Sequence, residues 1–189
     1  TTGQLLMEEL QVPQGTFKLQ RFPVQSHPSL RAWDAADEYV LRHLCESLPA
    51  LDKSAQIWIY NDNFGALRIA LGQFPALSIS DSYLAHRGTE INAKLNSQQI
   101  DSASLLSSLE TPAGSPDLVI IKIPKTLALL QDQLCRLKPL LNDNSRIIAA
   151  GMAKHIHRST LNLFEQQIGS THTSLAWKKA RLIFCTPDP

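Results

Sequence analysis

Two sets of residues in this chain are of types that could do chemistry. The first lies in "IYNDNFGALRIAL" (Ile59–Leu71), between an apolar strand-like run and a helix-like run. A nucleotide-binding fold puts its cofactor turn there, because glycine lets backbone approach a phosphate or ribose with no side chain in the way. This turn holds one glycine, Gly65, among Asn61, Asp62, Asn63 and Leu67. Asp81 follows 19 residues after Asp62, where an acid would take ribose hydroxyls, although an aspartate there also serves as a helix cap. The second set is basic: Lys122, Lys125, Lys154, His155, His157, Arg158, Lys178, Lys179 and Arg181, with Trp177 beside the last three. Such cations hold phosphates, and a ring among them can meet a base.

Each residue also has a plainer reading. Trp177 alternates with Leu175 and fits a strand core. Lys178, Lys179 and Arg181 fit a solvated hairpin tip, and Lys122, ending an apolar run, fits a lysine that snorkels or pairs with Asp62 or Asp81. His155 and His157 have no third ligand near in sequence, so no metal is expected. Trp33, Asp34, Asp37 and Glu38 read as a capped, amphipathic helix face. Cys45, Cys135 and Cys185 sit among apolar residues without C-x-x-C spacing and read as buried, reduced thiols.

The elements that must position these residues alternate. Residues 1–15 are polar with a Pro13/Gly15 break, and "TFKLQRF" (Thr16–Phe22) reads as a leading strand or arm. A helix follows, with Leu30, Trp33, Ala36, Val40, Leu41 and Leu44 in phase, Ser29 as its cap and Pro49 as its end. Then come strand Gln56–Tyr60, a short helix to Gly72, strand Ala76–Ser80, helix Ser82–Asn96, a weak strand near residues 102–108, and strand Asp117–Ile123. A helix capped by Thr126, strand Arg146–Met152 and a helix ending at Gly169 precede two strands, Thr173–Lys179 and Arg181–Thr186, joined by an immediate turn. Helix N-termini at Thr126 and near His157 would offer amide donors to phosphates.

Alternating strands and helices imply a parallel α/β sheet covered on both faces, and the closing pair must be antiparallel. About seven strands ending in an antiparallel hairpin describe the Rossmann-like class I methyltransferase sheet. Enzymes of that class carry roughly D-x-G-x-G-x-G in the first turn. Here Asn61 takes the acid's place, Asn63 the first glycine's, Gly65 the second and Leu67 the third, which projects a branched side chain where the cofactor needs room. Asn63 tolerates a left-handed backbone. Base-methylating members follow the fourth strand with N-P-P-[FYW]. In "IIKIPKT" Lys122 takes the asparagine's place, Ile123 and Pro124 the prolines' and Lys125 the ring's. A lysine cation cannot accept from a target amino group.

The stretches "LQRFP", "AWDAADEYVL", "NDNFGAL", "DSYLA", "IKIPKTLALL", "RIIAAGMAKHIHRSTLNLFE" and "TSLAWKKARLI" resemble the N-terminal half of the ribosomal RNA large subunit methyltransferase G family, which methylates a guanine N2 of 23S rRNA. The resemblance runs from about Phe17 to the end; the small subunit methyltransferase C family has a similar two-domain plan. It implies an N-terminal arm over residues 1–16 and a degenerate, non-catalytic domain over 17–189 that holds and orients the RNA. It also implies a separate C-terminal domain, absent from this chain, that keeps the glycine turn and binds S-adenosylmethionine. The partners it implies are 23S rRNA and that catalytic domain. Two other readings stay open: a domain that mainly packs on its catalytic partner, and an enzyme that uses S-adenosylmethionine through an unusual turn.

Bulk properties are compatible with all three. The chain has 189 residues, 43% of them hydrophobic and 19% charged, with a net charge of +1. That length suits one domain with a real core. No apolar run reaches membrane-span length and no secretory leader is evident, so a cytoplasmic protein with no membrane partner is expected. The charge is uneven: residues 1–116 hold 8 basic and 12 acidic side chains, and residues 117–189 hold 10 and 5. The basic later part points to an anionic partner.

Overall fold

The computed structural model describes residues 8–24, 30–47 and 51–189. It opens with a hairpin in which β1 (Glu8–Val12) pairs antiparallel with β2 (Gly15–Leu19). Helix α1 (Ala35–Ser47) follows. Its expected cap, Ser29, and its expected stop, Pro49, lie outside the described residues. The helix starts later than periodicity alone implies because Asp34 caps it. The Asp34 carboxylate accepts the amides of Ala36 (3.0 Å) and Asp37 (3.2 Å), and Asp37 reaches back to the Asp34 amide (2.9 Å).

The chain then alternates through β3 (Ile57–Tyr60), α2 (Ala66–Ala70), β4 (Ala76–Ile79), α3 (Tyr83–Leu95), β5 (Leu105–Leu106), β6 (Leu118–Lys122), α4 (Leu127–Leu137), β7 (Arg146–Met152) and α5 (Arg158–Gln167). It closes with β8 (Thr171–Thr173) and β9 (Ala180–Cys185). Hydroxyls fix two of the helix starts: Ser82 accepts the Ala85 amide at 3.1 Å, and Thr126 accepts the Leu129 amide at 3.2 Å. Among the described residues no helix is long and apolar enough to cross a membrane.

One sheet has the strand order β5-β4-β3-β6-β7-β9-β8. The first five strands run parallel, and β9 runs antiparallel to both β7 and β8. The hairpin expected to run continuously from Thr173 to Lys179 is interrupted. Residues 171–173 pair with β9, and the chain rejoins its partner only at the Trp177–Ala180 bridge. Lys178 and Lys179 make the two-residue turn, both left-handed at φ 48° and 66°. That is the backbone a tight hairpin with natural twist demands.

Because strand side chains alternate, each central strand feeds two cores. Ile57, Ile59, Leu118, Ile120, Ile148, Ala150 and Leu182 face α1–α3, while Trp58, Val119, Ile121, Ile147 and Ile183 face α4 and α5. Each fully buried aliphatic side chain contributes roughly 1.5–3 kcal/mol. Leu10 and Leu19 of the first hairpin bury in the α1–α3 core. The backbone at the end of β2 is also held by two asparagines one turn apart at the end of α3. Lys18 exchanges hydrogen bonds with Asn96 (2.9 and 2.8 Å), and Gln20 does so with Asn92 (3.0 and 2.9 Å). The expected boundary at residue 16 between an arm and the domain therefore falls inside a strand whose flanks share the core, and the hairpin from Glu8 onward is built into the domain.

Candidate functional site

The strand order reverses around β3, with β4 on one side and β6 on the other. Ligands of open α/β sheets bind beyond the carboxyl ends of the strands at such a point. Here the turn after β3 is closed by its own residues. Asn61, not Asn63, takes the left-handed backbone, at φ 64°. Its side-chain amide donates to the Lys122 carbonyl (3.0 Å) and pairs with the Gln133 amide in both directions (2.9 Å each). Gln133 continues to the Ser108 hydroxyl at 3.1 Å.

Asp62 is buried and accepts the amides of Leu67 (3.3 Å) and Arg68 (2.9 Å). The first-turn donors of α2, which a nucleotide site would aim at its ligand, thus meet a carboxylate of the same chain. Gly65 sits at φ 85°, and a Cβ there would lie 2.9 Å from the Thr89 Cα. This glycine serves the close approach of α3. Leu67, expected to project toward cofactor space, is instead fully buried in the α1–α3 core. Asp81 does not cap α3, a role Ser82 takes; it accepts the Ser108 amide at 3.1 Å.

Lys122 ends β6 with its ammonium turned inward. It is 8% exposed and contacts Asp37 at 2.9 Å and Asp34 at 3.0 Å. The expected partners, Asp62 and Asp81, are not the ones it pairs with, and a buried, doubly paired lysine is not a free phosphate contact. Burial works against the charge, but the two carboxylates outweigh it and hold the ammonium protonated well above its usual range. Burial pushes Asp37 up to about 6 despite Lys122. Burial also raises Asp62, against the pull of the α2 amides. The more open Asp34 is held below the usual carboxylate range, because Lys122 overcomes its partial burial. The carboxylates on the first turn of α1 and the lysine on β6 form one structural cluster.

The remaining basic candidates come together. Lys125 follows β6. Lys154 and His155 lie in a 3-10 turn after β7, and His157 and Arg158 start α5. Lys178 and Lys179 form the turn leading into β9, which enters the sheet beside the carboxyl end of β7. The Ala153 amide donates to the Lys179 carbonyl at 2.7 Å and ties these loops together. All seven side chains are exposed, whereas Arg181 is half-buried. The amide donors expected at Thr126 are partly taken, since its own hydroxyl accepts the Leu129 amide. At the start of α5 the Thr160 hydroxyl accepts the His157 amide at 3.2 Å. Trp177 is half-buried: its ring lies 5.6 Å from that of Tyr39 and is flanked by Arg42 (5.1 Å) and Lys178 (4.8 Å). Among the described residues no group of three or more His, Cys, Asp or Glu is placed to hold a metal ion.

A recess of about 120 Å³ opens beside the turn, between Arg21, Trp33, Asp34, Asn63, Phe64 and Lys122. It is smaller than the roughly 300 Å³ at which sites for drug-sized ligands and cofactors begin.

A family model described as "RLMG N-terminal domain" matches residues 7–189. The chain belongs to this family. Two RLMG relatives, both named ribosomal RNA large subunit methyltransferase G, come from Streptomyces griseus and Erwinia tasmaniensis. The first is 46% identical over 184 residues, covering 97% of this chain and 48% of the relative; the second is 48% identical over 181 residues, covering 95% and 47%. The chain spans about half the length of the curated relatives it matches. Among solved structures, a Thermus thermophilus 16S rRNA N2 G1207 methyltransferase, in complex with AdoMet and guanosine, aligns at TM-score 0.74 and 14% identity. The alignment covers 96% of this chain and 50% of that one. A ribosomal protein L11 methylase from Lactobacillus delbrueckii aligns at 0.57 and 16%, over 75% and 74%. The RLMG N-terminal domain therefore has the class I methyltransferase fold, with its mostly parallel seven-stranded sheet and closing antiparallel hairpin.

Several residues of this RLMG domain escape a sequence reading. The partners of Lys122 lie 85 and 88 positions away. Arg21 and Arg31, which lie over the rings of Phe64 (4.8 Å) and Trp33 (5.6 Å), have no local motif. Two of the three cysteines, Cys45 and Cys135, are exposed rather than buried; Cys185 is buried, and burial raises its thiol pKa.

Proposed function

We propose that this domain holds and orients ribosomal RNA for a separate S-adenosylmethionine-dependent half, within a protein that methylates a guanine N2 of 23S rRNA. The observation that carries the reading is the rim of seven exposed basic and imidazole side chains gathered at one edge of the sheet. Such a rim binds phosphates by charge and orients a strand without reading its sequence. The names of the relatives, and the half of their length that this chain leaves uncovered, supply the ribosomal substrate and the second domain.

The turn after β3 does not fit S-adenosylmethionine. Its glycine is committed to Thr89, the α2 amides to Asp62, and Asp81 to Ser108. We therefore assign no catalytic residue and no cofactor to this domain, and we read the protein as cytoplasmic, where ribosomal RNA is. A companion reading concerns the β4–β5 side of the same edge, where Tyr83, Leu84 and Leu109 are exposed. These apolar residues suit packing against the catalytic half.

Titration of a helical 23S rRNA fragment and of S-adenosylmethionine against this chain, by calorimetry at two salt concentrations, tests the reading. RNA binding that weakens with salt, without cofactor heat, is the expected result. Saturable cofactor binding would overturn the account of the turn. Silence from both would favour packing on the catalytic half as the main role.

A further inference from the structure

Resting on the RNA-holding reading, we propose that the recess beside the closed turn receives a single unpaired base of the bound strand. Its position and its chemistry both favour a base. The recess opens at the carboxyl ends of β3 and β6, where this sheet type receives ligands, and the turn after β3 lines it with Asp62, Asn63 and Phe64. Its size admits one ring system and not a dinucleotide-sized cofactor.

The walls are aromatic rings already covered by guanidinium planes: Arg21 over Phe64 and Arg31 over Trp33. The Arg21 guanidinium donates to the Arg31 carbonyl at 3.3 Å, and Arg31 pairs with Glu8 at 3.0 Å, so each has one polar tie beside its ring. A ring backed by a guanidinium is a stacking platform for an unpaired base.

Charge separates a base from a phosphate. The inner wall carries Asp34, Asp37 and Asp62, and the only cation among them, Lys122, is bound by the first two. A phosphate driven inward would meet three carboxylates set against one ammonium, whereas at the mouth it would meet Arg21. A neutral base suffers no such repulsion. The Asp34 side chain is 48% exposed and can accept from a base amino or imino group, and Asn63, exposed on the lip, offers both a donor and an acceptor. One ion pair links the neighbourhood of the recess to the basic rim: Glu38, one residue after Asp37, pairs with Lys178 at 3.7 Å. A strand held by its phosphates on the rim passes close enough to lay a base inward.

The test uses this chain and two labelled single strands of equal charge. Each is roughly ten nucleotides long, within the usual single-strand site size. One is an ordinary ribo-oligomer and the other is its abasic counterpart. By fluorescence anisotropy the wild type is expected to bind the base-containing strand about tenfold more tightly, the size of one stacked base. In Phe64→Leu, which keeps apolar packing but removes the ring, the ratio should fall to about one. Arg21→Met, which keeps the stem but removes the plane, should do the same and carries the test if Phe64→Leu does not fold. The double variant Lys154→Gln/Arg158→Gln should weaken both strands alike and leave the ratio intact. A ratio that survives both recess variants would move the stacking to Trp177 or elsewhere and overturn the proposal, as would a wild type with no preference for the base-containing strand. In either case the RNA-holding reading would stand. Failure of the wild type to bind either strand would remove that reading and the proposal with it.

Discussion

At the β3 turn and the start of α1, charged groups are answered within the fold: Lys122 by Asp34 and Asp37, Asp62 by two amides of α2. Across the same sheet edge, after β7 and before β9, Lys154, Arg158 and Lys179 are exposed and make no ion pair among the described residues. Both regions lie beyond the carboxyl ends of the parallel strands, where this fold type carries its chemistry. In one, ionisable groups have become internal ties; in the other, they face water. Exposed cations add little to stability, which frees them to meet a partner, while a buried, paired one is costly to remove and is not available to bind.

That contrast is open to attack from its strongest side first. Lys122→Ala leaves two carboxylates facing each other without a cation. It is expected to cost about 3–5 kcal/mol in urea unfolding, with residual folded protein more stable at low pH. A loss below about 1 kcal/mol would mean that water already screens the cluster, and the contrast would blur.

A smaller effect follows from Asp37. Its folded pKa of about 6 lies above its unfolded value of 3.8, so the folded state keeps a proton that the unfolded chain releases between those values. The Asp37 contribution to stability therefore falls as pH rises through that window. Asp37→Asn removes this titration. The stability of the variant relative to wild type should climb from pH 4 to pH 6, and a flat difference would show that Asp37 is charged throughout.

The smallest effect is expected at the rim. Lys154→Gln/Arg158→Gln should change unfolding free energy by no more than about 0.5 kcal/mol. The same variant should reduce the salt slope of RNA binding by about 2, nearly one for each lost phosphate contact. A large loss of stability would show that the rim, too, is part of the internal scaffold.

What could be read from the sequence follows the range of the interactions involved. The central strands announce themselves because Ile57 to Tyr60 and Leu118 to Ile121 are apolar on both faces, and Ser82 and Thr126 mark their helices locally. The closed turn was legible as a missing set of glycines. How it closes was not, because Asp62 folding back on α2 and Thr89 approaching Gly65 depend on the tertiary arrangement. The rim is legible as clustered charge, yet Lys122 reads as part of it because its partners, Asp34 and Asp37, are distant in sequence. The first hairpin was half-hidden: Pro13 and Gly15 read as a break, while they flank and close a turn whose two strands pair along their full length.

The asparagine grip on β2 also sets an order in time. The hairpin leaves the ribosome early, but Asn92 and Asn96, which satisfy its backbone, lie 72 and 78 residues behind it. At typical synthesis rates of about 5–20 residues per second, the edge of β2 waits roughly 4 to 16 seconds for its partner helix. During that interval its backbone donors and acceptors are open to any other strand that passes, so the earliest part of this domain to be made is secured only once α3 has followed it.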